Sequence, residues 1–122
     1  MLRIATIGTS MITDDFIQVV NANDQATFVG TLSRDADRGA AFTAEHGGER
    51  NFTALDELAS ADDVDAVYIG SPNALHYEQA LACIAGGKHV IVEKPFCATE
   101  AQALEVFRAA EAAGVVALEA MR

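Results

Sequence analysis

The 122 residues carry 8 Lys and Arg against 18 Asp and Glu, a formal charge of -10, with 51% hydrophobic and 21% charged side chains. That length and balance fit one water-exposed domain with a genuine core, residues 1–122, and argue against a nucleic-acid or anionic-membrane surface, which needs clustered cations. No apolar run reaches eighteen residues, the opening run is too short for a signal peptide, and Cys83 and Cys97 have neither metal-site nor redox-pair spacing, so a cytoplasmic chain with two free thiols and no metal is expected.

In chain order, Leu2 to Ile7 predicts a strand, and Ile12 to Asn21 a helix with Ile12, Phe16, Val19 and Val20 on its sheet-facing stripe. Thr27 to Leu32 predicts the second strand. Ala36 to His46 predicts a helix that Asp35 caps and Gly47-Gly48 stops. A short helix, Ala54 to Ala59 with Thr53 as its cap, leads to a third strand, Ala66 to Gly70. Asn73 caps a helix with Tyr77, Leu81 and Ile84 on one face, ended by Gly86-Gly87; His89 to Val92 is the fourth strand. Thr99 and Gln102 form a capping box for a helix running to Ala113, with Leu104 and Phe107 inward and Gly114 beyond its end, and Val115 to Leu118 is the last strand. Alternating strands and helices imply an α/β, doubly wound, mostly parallel sheet in three layers.

In such a sheet ligands bind at the carboxyl ends of the strands, and there the polar residues gather. Ile7-Gly8-Thr9-Ser10 places Gly8 at a tight turn, where backbone N–H groups face an anion, with Met11 and Ile12 opening the helix behind it. Ser10 and Thr13 replace the second and third glycines of the usual dinucleotide turn, and Asp14 and Asp15 set negative charge against the helix dipole. The second strand ends in Ser33-Arg34, a small residue and a cation, where an NAD site usually offers an acid to the ribose 2′-hydroxyl. NADP is therefore favoured over NAD. Asp35 is open to two readings, ribose ligand or helix cap.

Ser71-Pro72-Asn73-Ala74-Leu75-His76 and Glu93-Lys94-Pro95, read with the Gly8 turn, resemble the nucleotide-binding half of the Gfo/Idh/MocA oxidoreductases, over nearly the whole chain. The resemblance implies a Rossmann-like fold and a cofactor site made of Gly8, Thr9, Ser10, Met11, Ile12, Ser33, Arg34, Ser71, Asn73, His76, Glu93 and Lys94. His76 would approach the nicotinamide ribose, or else pack locally; Glu93 would orient polar neighbours, or else be a surface acid. Pro95 keeps Lys94 out of helical geometry, and Lys94 is the expected catalytic residue, stabilising an oxyanion or moving a proton.

Hydride transfer to or from a sugar or cyclitol carbon is the activity the resemblance implies for a complete enzyme, whose second, substrate-binding domain follows the nucleotide-binding one. This chain stops where that crossover is expected, so a fragment or a naturally short relative with little activity of its own is anticipated. A non-catalytic nucleotide-binding regulatory or structural module is the alternative. Any homo-oligomer would use another surface than the absent domain, such as an uncovered apolar patch.

Overall fold

Crossover helices force neighbouring strands into parallel pairing, and six strands pair in this way in the computed structural model, in the order β3-β2-β1-β4-β5-β6. Residues 2–9, 11–71, 73–94, 97 and 99–120 are described, of Met11, Ile12 and Asn73 the backbone alone; Ser10, Pro72 and Pro95 lie outside the described residues. The strands are β1 Leu2–Ile7, β2 Ala26–Leu32, β3 Arg50–Phe52, β4 Ala66–Ile69, β5 His89–Glu93 and β6 Ala117–Ala120. The helices are α1 Met11–Ala22, α2 Ala36–Glu45, α3 Leu55–Ala59, α4 His76–Ala85, entered through a 3-10 turn at Asn73–Leu75, and α5 Glu100–Ala113.

Chain order reverses between β1 and β4, leaving a crevice at the carboxyl edge between connections that leave in opposite directions. On one face α1 and α2 set Ile17, Val20 and Phe42 against Ile4, Phe28 and Ala66. On the other, Leu58, Ala80, Cys83, Ile84, Val106 and Ala110 close over Ala5, Ile7, Val67, Ile69, Val90 and Val92. Helices on both faces explain why β4, at the centre, reads as an unbroken apolar run with all four residues buried. At the opposite edge Lys88, only 7% exposed, donates its ammonium to the Ala61 carbonyl and closes the loop before β4.

Several expectations are corrected. Among the described residues there are six strands, not five: β3 is three residues long, too short to carry a pattern. It pairs because Gly30 has no side chain; a Cβ there would run into the Arg50 carbonyl. The register between β1 and β2 also skips Val29, passing from Ile4↔Phe28 to Ala5↔Gly30. The last strand begins two residues later than expected, at Ala117.

The helix stripes shift as well. In α1, Ile17 and Val20 are buried while Val19 is 67% exposed, and Phe16 stacks on Tyr68 with ring centroids 4.1 Å apart. In α5, Leu104 and Phe107 are 48% and 45% exposed, and Val106 and Ala110 face inward. Small residues on the inward face let α5 lie close to α4, and close approach decided the orientation over side-chain size. Thr53 does not cap α3: its N–H is accepted by Glu57 Oε1 at 3.0 Å, and Ala54 holds the cap position with no side-chain bond. Asn73 does not stand at the α4 cap either, since Leu75 does. Asp35 and Thr99 cap as expected, accepting from the N–H of Arg38 and of Gln102, each at 3.1 Å.

Candidate functional site

The turn after β1 is built on Gly8, whose φ of +104° strains any residue with a side chain. A Cβ there would stand 3.0 Å from the Gly70 carbonyl oxygen, so the close approach of two strand ends also requires glycine. Gly8 N–H donates to the Leu32 carbonyl and Gly70 N–H to the Ile7 carbonyl, both at 2.9 Å, which ties together the ends of β2, β1 and β4.

The missing third glycine is compensated from the opposite side. Thr13, fully buried on α1, puts its hydroxyl where a Cβ of Gly70 would otherwise be. Gly70 on the strand side therefore provides the close helix–strand approach. The Asp14 carboxylate is engaged by His46 Nε2 at 2.5 Å and Gln18 Nε2 at 3.2 Å, and it does not border the space that Gly8 lines. Those two hydrogen bonds hold its pKa below the usual carboxylate value.

A crevice of about 530 Å³ opens at this edge. Gly8 and Thr9 form one side of it, Ser33 and Arg34 at the end of β2 another, and Ser71 after β4 a third. With Asp35, which lines it as well, six of the residues singled out from sequence border one space. Leu32, Leu55 and Leu75 add apolar wall, and Gln79 on α4 accepts from the Ser71 hydroxyl. Arg38 was not foreseen: it lies in the first turn of α2, close after Arg34, and brings a second guanidinium to the crevice. The signal available was the repeated basic residue around a capped helix start, which places both near one helix N-terminus.

The remaining candidates stand elsewhere. His76 is fully buried and does not line the crevice; its Nε2–H donates to the Ser71 carbonyl at 2.8 Å, so it supports a lining residue from behind. Glu93 is not a surface acid: it is 8% exposed and accepts from the Tyr68 hydroxyl on the neighbouring strand. Lys94 follows β5 directly and is exposed, at the same carboxyl edge two strands from β1. Among the described residues no group of three or more His, Cys, Asp or Glu is placed to hold a metal ion, and no helix is long and apolar enough to cross a membrane.

A glycine turn at the point where strand order reverses, opening on a crevice with apolar walls and two guanidinium groups, fits an adenine dinucleotide and defines a Rossmann-type nucleotide-binding domain. Residues 2–120 match the Gfo/Idh/MocA family, described as an oxidoreductase family with an NAD-binding Rossmann fold, and the chain belongs to that family as its NAD(P)-binding domain.

The chain is 44% identical over 122 residues to scyllo-inositol 2-dehydrogenase (NADP(+)) IolU of Bacillus subtilis (strain 168), covering 100% of this chain and 37% of that protein. It is 41% identical to 1,5-anhydro-D-fructose reductase of Ensifer adhaerens, over 95% of this chain and 35% of that one. Among solved structures, KijD10, a 3-ketoreductase from Actinomadura kijaniata in complex with NADP and TDP-benzene, superposes with a TM-score of 0.91 at 33% identity, over 97% of this chain and 36% of that one. The chain thus spans little more than a third of the length of these relatives.

Proposed function

We propose that the domain binds NADP in preference to NAD and, in a complete enzyme, presents it for hydride transfer to or from a carbon of a sugar or cyclitol. The observation that carries the cofactor choice is the end of β2: Ser33 stands where an acid would repel a 2′-phosphate, and Arg34 and Arg38 border the same crevice. Asp35, the other candidate for the ribose, borders the crevice too, with one carboxylate oxygen accepting from the Arg38 N–H at the cap of α2. The NADP in the names of the inositol dehydrogenase and the KijD10 complex supports the same choice, and the inositol and anhydrofructose enzymes support the substrate class.

In this reading the backbone around Gly8, Thr9 and Ser10, with the first-turn N–H groups of Met11 and Ile12, holds the pyrophosphate, since those groups lack intrahelical partners. Ser33, Arg34 and Arg38 hold the 2′-phosphate. Ser71 and Asn73 border the nicotinamide ribose, and His76 fixes Ser71 through its carbonyl. Bound NADP supplies the hydride donor or acceptor. Lys94 presents its ammonium to the substrate oxygen, where a cation stabilises developing negative charge or passes a proton, and Glu93, anchored on Tyr68, fixes the strand end that carries it. The two unpaired thiols suit a reducing compartment, the cytoplasm.

Titration with NADPH and NADH, followed by cofactor fluorescence, tests this. NADPH is expected to bind about 10-fold more tightly or better, as charge-assisted hydrogen bonds to a phosphate imply, and Arg34→Ala with Arg38→Ala is expected to erase the difference. Equal or tighter binding of NADH by the unaltered chain overturns the reading.

A further inference from the structure

We propose that Thr31 is a positioning residue for the dinucleotide: its buried hydroxyl holds the Gly8 carbonyl and thereby aims the Thr9 N–H into the crevice. The inference rests on the cofactor reading above. Thr31 is 1% exposed near the end of β2, and its neighbour Thr6 on β1 is fully buried. The Thr6 hydroxyl donates to Thr31 Oγ1 at 2.8 Å, which leaves the single Thr31 proton to the Thr6 carbonyl at 3.1 Å and the Gly8 carbonyl at 3.2 Å.

In a planar trans peptide the C=O of one residue and the N–H of the next point in opposite directions. Drawing the Gly8 carbonyl down onto the buried hydroxyl pair therefore sends the Thr9 N–H the other way, at a residue that lines the crevice. The Gly8 N–H is fixed as well, to the Leu32 carbonyl. Both sides of the turn glycine are thus tied to consecutive residues of β2, immediately before Ser33 and Arg34. Packing alone does not call for a hydroxyl at position 31, because valine has the same shape and suits a strand.

The test titrates the chain and its Thr31→Val and Thr31→Ser variants with NADPH, ADP and adenosine 2′-monophosphate. The first two present a pyrophosphate to the Gly8 turn, and the third engages only the Ser33–Arg34 end. Because Thr31→Val also strips the Thr6 hydroxyl of its acceptor, a Thr6→Val, Thr31→Val double variant removes both hydroxyls and guards against a folding defect. Loss of one hydrogen bond predicts binding of NADPH and ADP weakened about 3- to 10-fold in Thr31→Val and in the double variant, with adenosine 2′-monophosphate within about twofold of the original and Thr31→Ser restoring the loss. Unchanged binding of NADPH and ADP overturns the inference, as does a parallel loss for all three ligands, which marks general loosening. Failure of the unaltered chain to bind any of them overturns the cofactor reading itself, and this proposal with it.

Discussion

Asp14 in the first turn of α1 and His46 at the C-terminal cap of α2 meet at 2.5 Å, joining the two helices that share one face of the sheet. The other ring nitrogen of His46 lies 2.8 Å from the Phe42 carbonyl, so both nitrogens face acceptors and the imidazolium satisfies both. Burial lowers the His46 pKa, but Asp14, the Phe42 carbonyl and the nearby charge of Glu45 together outweigh it and leave the pKa above the ordinary 6.5.

That link makes stability depend on pH from both sides. The raised His46 pKa contributes fully below pH 6.5 and is lost as pH rises through the folded value; the lowered Asp14 pKa contributes above 3.8 and is lost as pH falls. Melting temperatures of the chain and of His46→Gln, compared across pH, should therefore differ most between 3.8 and 6.5 and converge on either side. A difference that does not change with pH contradicts the link.

Gly8→Ala should lower unfolding free energy by about 1–3 kcal/mol, the usual cost of a side chain in a disfavoured backbone region. Nucleotide binding should fall further than stability does, because the added methyl stands against the Gly70 carbonyl at the mouth of the crevice. Denaturant melts and NADPH titration of the same preparation separate the two effects.

Gly30→Ala tests the seat of β3. The new Cβ would press on the Arg50 backbone, and overpacking of this kind costs about 1–3 kcal/mol. Amide exchange in Arg50–Phe52 should accelerate before that of β1 and β4. Uniform acceleration across the sheet would point to a global effect instead.

Thiol reactivity should distinguish the two cysteines. Cys83 is fully buried and burial pushes its pKa to about 12, whereas Cys97 is half-buried and raised by burial and then by Glu119. A disulfide reagent is expected to modify Cys97 slowly in the native chain and Cys83 only on unfolding. Equal native rates contradict that order.

The doubly wound architecture was legible because strands buried on both faces and glycine-stopped helices leave strong local marks, as in Ala66–Ile69 and at Gly114. What escaped depended on contacts distant in sequence. Three residues of β3 carry no periodicity; they became a strand because Gly30 makes room for them. The inward face of α5 was chosen by its fit to α4, which favoured small residues over Leu104 and Phe107. Of the crevice, the gathering of Gly8, Thr9, Ser33, Arg34 and Ser71 was readable from their places at strand ends. The enclosure of His76 was not, because sequence marks a residue in a helix's first turn without telling which way its ring turns.

Only two lysines occur in the chain, and Lys88 is sealed against the Ala61 carbonyl at the amino edge of the sheet. Lys94 alone among them offers its amine to reagents in water. An acylating dye should consequently label a single lysine side chain, at the carboxyl edge of the sheet, without any engineered attachment point.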